Sequence, residues 1–139
     1  MKALLSIVLL LAFGAYAYSE YTPEQIAQWK ESAEKGEIWG QFNLGFAYAN
    51  GNGVPEDDKE AVKWFRKAAE QGHPNAQFGL GSAYFFGRGV IEDKVQAYAW
   101  YNIAAANGDE GGKKFKTLVA EETTKEQIAE AQKLALEMI

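Results

Sequence analysis

From Thr22 onward the chain alternates short amphipathic stretches with glycine-bearing turns. Between Pro74 and Phe86, Ala76, Leu80, Ala83 and Tyr84 fall at i, i+4, i+7 and i+8, one face of a helix that must be buried. Pro74 opens that helix at the position where a missing N–H costs nothing. Ala61, Trp64 and Ala68, and again Ala97, Trp100 and Ala104, form stripes on later helices. Asp57 and Asp93 stand three residues before Glu60 and Gln96, and Thr22 and Thr124 three before Gln25 and Gln127, so four reciprocal capping boxes are expected. Gly51-Asn52-Gly53-Val54 and Gly87-Arg88-Gly89-Val90 end helices, as do Gly72 and Gly108. A further helix from about Glu110 to Glu121 carries Phe115, Leu118 and Val119 on one side, and flanking helices run to about Lys35 and Met138. The pattern predicts an all-α chain of seven helices without a strand.

The helices repeat in register. Gly36, Gly72 and Gly108 recur every 36 residues, and 37–72 aligned on 73–108 without a gap gives 16 identities. That self-similarity predicts a short right-handed α-solenoid of helix-turn-helix units. Its divisions are a capping helix in 18–36, repeats at 37–72 and 73–108, and a degenerate repeat or cap in 109–139. Gly45 and Gly81 lie mid-helix, where glycine costs about 1 kcal/mol relative to alanine, so close approach of a partner helix is expected there. The repeating positions define a structural core: Leu44, Gly45, Tyr48, Gly51, Gly53, Asp57, Trp64 and Gly72, and one unit later Leu80, Gly81, Tyr84, Gly87, Gly89, Asp93, Trp100 and Gly108.

The amino terminus reads differently. Lys2 precedes an apolar run from Ala3 to Phe13, and Ala15-Tyr16-Ala17 offers the small-x-small pattern of a signal peptidase site. A signal peptide over 1–17, cleaved after Ala17, is the expectation, with an uncleaved anchor as the alternative. The run is shorter than the roughly 20 apolar residues that span a bilayer, so no stable membrane span is expected after cleavage. The expected location is periplasmic or secreted.

Composition narrows the chemistry. The 139 residues include 47% hydrophobic and 24% charged, which suits a folded domain and not a disordered chain. A formal charge of -5 argues against a nucleic-acid partner. With no cysteine and only His73 as histidine, disulfides, thiolate nucleophiles and multi-histidine metal centres are excluded, and no metal or cofactor is expected. Asn50-x-Asn52-Gly53 lacks the carboxylates and terminal Glu of a calcium loop, and reads as a turn. His73 reads as a surface residue at a repeat junction.

The string Leu44-Gly45-x-x-Tyr48-x-x-Gly51-x-Gly53-Val54-x-x-Asp57-x-x-x-Ala61-x-x-Trp64-Phe65-x-x-Ala68-Ala69-x-x-Gly72, repeated from Leu80 to Gly108, resembles the Sel-one-like repeat, a relative of the tetratricopeptide repeat. The resemblance implies an α-solenoid adaptor for protein complexes, in exported bacterial members tied to signalling, envelope assembly or host contact. The expected function is therefore a non-catalytic protein-protein interaction module, with a protein partner on the concave face and weak self-association through the repeat ends. The wheel puts Trp39, Phe46, Asn75, Ser82 and Phe85 on a stripe apart from the repeating core, and these are the candidate partner-binding residues. Phe42 and Phe78 repeat identically and are expected in the core. The alternative function is an exported hydrolase of cell-wall-type substrates. Only Ser32, Ser82 and His73 are at hand for it, with no G-x-S-x-G elbow or S-x-x-K pair, so no catalytic residue is assigned.

Overall fold

The protein's structure, a computed structural model, describes residues 20–138. The expected signal peptide lies outside the described residues. Within them the chain forms seven helices and no strand: α1 (Pro23–Glu34), α2 (Ile38–Asn50), α3 (Asp58–Glu70), α4 (Pro74–Phe86), α5 (Lys94–Ala106), α6 (Glu110–Glu121) and α7 (Lys125–Glu137). The helices α2 to α5 are two antiparallel pairs, and each helix packs on the next from α1 through α6. This is an α-solenoid.

The helix ends follow from local chemistry. Thr22 and Thr124 make complete reciprocal boxes with Gln25 and Gln127. Asp57 and Asp93 accept only one way, from the N–H groups of Glu60 and Gln96 at 3.1 Å. The reciprocal boxes expected there do not form, because the N–H groups of Asp57 and Asp93 already donate to the Tyr48 and Tyr84 carbonyls at 3.0 and 2.9 Å. Those two bonds fold each seven-residue loop back onto the helix it leaves. Gly51 and Gly87 begin the loops at φ 62° and 64°, a left-handed conformation that L side chains rarely adopt.

Packing explains the mid-helix glycines. A methyl group on Gly45 would come to 2.9 Å from the Phe65 ring, and one on Gly81 to 2.8 Å from the Tyr101 ring. The lost helix propensity is offset by letting the second helix of each pair lay an aromatic ring on the first. Leu44, Leu80 and Tyr101 are sealed at 1% exposure or less, each aliphatic burial stabilising by about 1.5–3 kcal/mol. Trp64 and Trp100 are buried as well. Ala33, Leu44 and Trp64 make a smaller cluster towards α1, while Tyr98, Trp100, Tyr101, Val119, Ala131 and Ala135 belong to the main core.

The carboxyl-terminal end departs from the repeat. Only residues 122–124 connect α6 to α7, against seven residues within each full repeat. The tight turn sends α7 onto α5 instead of along α6, and Lys94 on α5 pairs with Glu122 in that turn at 3.0 Å. No described helix is long and apolar enough to cross a membrane.

Candidate functional site

The first helices α2 and α4 stand side by side over α3, and between them lies a groove of about 420 Å³. Phe42 and Phe46 come from α2, Val62 and Phe65 from α3, and Phe78 and Phe86 from α4. Phe46 and Phe86 are 43% and 59% exposed and form the apolar rim. The Phe65 ring, its centre 6.0 Å from that of Phe42, forms the buried floor. A cavity of this size with an aromatic lining falls in the range that binds ligands or partner side chains.

Polar groups mark its two ends. At one, the Asp58 and Glu56 carboxylates hold the Arg88 guanidinium, each at 3.1 Å from Nη2, so the loop of the second repeat is tied to that of the first. All three side chains are solvated, so these pairs position Arg88 more than they stabilise the fold. Asn75, at the start of α4, lies towards the other end, and Ser82 lines the groove two turns further along the same helix. The Ser82 hydroxyl accepts from the Tyr101 hydroxyl at 2.9 Å. Burial pushes the Tyr101 phenol up to about 12, so it remains a donor across the neutral range.

Of the five residues expected to bind a partner, Phe46, Asn75 and Ser82 line this groove and two do not. Trp39 stands one junction earlier, beside Ser32 and Glu37 in a small polar hollow between α1 and α2. Phe85 packs against the core, its ring edge-on to Phe86 at 4.8 Å. Adjacent helical residues point about 100° apart, so Phe86 takes the rim and its neighbour is turned inward. Phe42 and Phe78, expected in the core, are half-buried and line the groove.

His73 departs from the expected surface role. It is the N-cap of α4, its Nδ1 accepting from the Ala76 N–H at 3.1 Å, and its ring stacks on Phe42 at 4.4 Å. Burial holds its pKa below the ordinary histidine value. The Ser32 hydroxyl donates to the Glu37 carboxylate at 2.5 Å. His73 and the two serines therefore each serve local structure through these bonds.

One repeated feature lies outside the expected site: the buried amides of Gln41 and Gln77. Gln41 Oε1 accepts from Gln71 at 2.7 Å, and Gln77 Oε1 accepts from Asn107 at 2.9 Å, one unit later. Gln77 also donates to the Ala69 carbonyl at 3.1 Å. A glutamine held identically in both units amid buried apolar positions was the available signal.

Paired helices stacked in register, with ligand-sized space on the face of the first helices, define a repeat scaffold of the protein-interaction type. The profile of the Sel1 repeat matches residues 40–73 and 74–109, and the chain belongs to that family. Two solved structures are similar to it. A protective antigen present in uropathogenic Escherichia coli strains, displaying an SLR fold, is 36% identical with a TM-score of 0.83, over 91% of this chain and 28% of that one. A Sel1 repeat protein from Oxalobacter formigenes is 38% identical with a TM-score of 0.64, over 67% of this chain and 38% of that one. The chain thus spans well under half the length of either. A search of curated proteins gave no match.

Proposed function

We propose that this chain is a non-catalytic adaptor or regulator, exported to the cell envelope, that binds a protein partner through the concave face of its repeat array. The observation that carries the reading is the open aromatic groove between α2 and α4, whose rim leaves Phe46 and Phe86 in solvent. Large aromatics around a desolvated pocket are the usual anchors of protein interfaces. Export rests on the leader read in residues 1–17, and the division into two full repeats between capping elements belongs to the same reading.

The test is affinity capture from the native envelope fraction with the intact chain, beside a Phe46→Ala, Asn75→Ala variant that retains its helical circular dichroism. A partner held by the parent and lost by the variant supports the groove. Equal capture by both moves the site to another face. Fractionation of expressing cells checks export, and retention of the full-length chain in the cytosol overturns it.

A further inference from the structure

The register of the repeats shows what the groove lacks. On the second junction, where α4 and α6 stand over α5, Phe78, Tyr101 and Phe115 form an aromatic triad. Phe115 lies 5.3 Å from Phe78 and 5.5 Å from Tyr101, and Phe78 lies 5.5 Å from Tyr101. Thirty-six residues earlier, the counterparts of Phe78 and Tyr101 are Phe42 and Phe65, tilted at nearly the same angle, 37° against 39°. The counterpart of Phe115 is Gly79, and that of Leu118 is Ser82. Both stand at the groove. The chain fills this space with its own phenylalanine at one junction and leaves it open at the other.

We propose that the place opposite Gly79 receives an aromatic side chain from a partner segment, which completes the triad with Phe42 and Phe65, and that a cationic residue accompanies it. The cation follows from charge. Asp58 lines the groove's end and exposed Glu56 stands just outside it; Arg88 pairs with both, which leaves one negative charge over at that end, in a chain whose formal charge is -5. A methyl on Gly79 would meet the Phe65 ring at 3.2 Å, closer than ordinary contact, so the Phe65 ring itself is the wall that an incoming ring seats against. Edge-on or offset aromatic contacts of this kind add to the burial of the ring itself. The inference rests on the groove being the partner site and names the chemistry it takes.

Amide NMR of the chain, titrated with Ac-Phe-Lys-NH2, Ac-Phe-Glu-NH2 and Ac-Ala-Lys-NH2, tests it. The first is expected to give saturable shifts centred on Val62, Gly79 and Ser82. The glutamate peptide binds severalfold more weakly at low salt, and the alanine peptide does not saturate. Gly79→Phe, which supplies the missing ring from within, weakens the first peptide by at least about tenfold. Phe86→Ala removes only an exposed rim residue, so it keeps the fold if Gly79→Phe does not, and weakens the same peptide severalfold. Equal binding of the alanine peptide, shifts centred away from the groove, or unchanged affinity in a folded variant overturns the proposal. Specific aromatic binding together with undiminished envelope capture by the Phe46→Ala, Asn75→Ala variant would instead leave this ring-binding place standing and overturn the reading that the captured partner docks in the groove.

Discussion

The two junctions of the array are built on one frame and end in opposite states. Over α5, the first helices close around Phe78, Tyr101 and Phe115; over α3, Phe42 and Phe65 receive no ring at the place of Phe115, His73 stacks on Phe42 from the helix cap, and space is left. The positions they share are those the backbone and core demand: loop glycines, the Asp caps, and the glycine under each aromatic ring. The positions that differ, Gly79 against Phe115 and Ser82 against Leu118, touch no backbone requirement. In this array, then, open space is made by withholding side chains from an otherwise repeated frame.

The sharpest way to probe the contrast is to remove the central ring of each junction. Tyr101→Ala is expected to cost about 4 kcal/mol, since its ring is fully enclosed, and Phe65→Ala about 3 kcal/mol, because the groove beside it is already open. Denaturant unfolding measures both, and a larger loss for Phe65→Ala would break the comparison. The buried amides give a smaller version of the same test. Gln77→Ala removes two side-chain bonds, one to the Ala69 carbonyl and one from Asn107, and should cost about 2 kcal/mol, whereas Gln41→Ala removes the single bond from Gln71 and should cost about 1 kcal/mol.

Below these, Phe46→Ala is expected to change stability by less than about 0.5 kcal/mol, the mark of a rim residue and not a core one. The smallest effect is in pH. His73 has a folded pKa below its unfolded value, so the unfolded chain takes up the proton first as pH falls. Its contribution is present above about 6.5 and lost as pH drops below that, where protonation also removes the Nδ1 acceptor for the Ala76 N–H. Melting at pH 7.5 and 5.5 should show a small loss in the parent that His73→Asn, an alternative N-cap, does not share.

Much of this architecture was legible in the sequence because it is written in periodic terms. The bounds of α4 and α6 follow from Pro74, Gly87 and the apolar spacing, and the close approach at Gly45 and Gly81 from their cost in mid-helix. The capping boxes at Asp57 and Asp93 misled, because the competing bonds to Tyr48 and Tyr84 span a loop that local pattern does not describe. The candidate site was half legible. A wheel of one helix at a time picks out Phe46, Asn75 and Ser82, but it cannot see that Phe65 and Val62 rise from α3 to floor the groove. Nor does it see that Phe86, not Phe85, faces out. Carrying the alignment into the degenerate third unit, where Gly79 meets Phe115, would have exposed the gap.

Repeats this similar invite a wrong partnership during folding, in which α2 closes on α5 instead of α3. The contacts of the repeating core positions would be reproduced, down to the glycine beneath the ring. The hydroxyl of Tyr101 would not be satisfied, because the residue standing where Ser82 should be is Phe46. Stranding a buried hydroxyl costs about 1–3 kcal/mol, enough to add to the bias towards the right pairing. One bond between two side-chain oxygens thus serves as a fidelity check on the order in which like segments assemble.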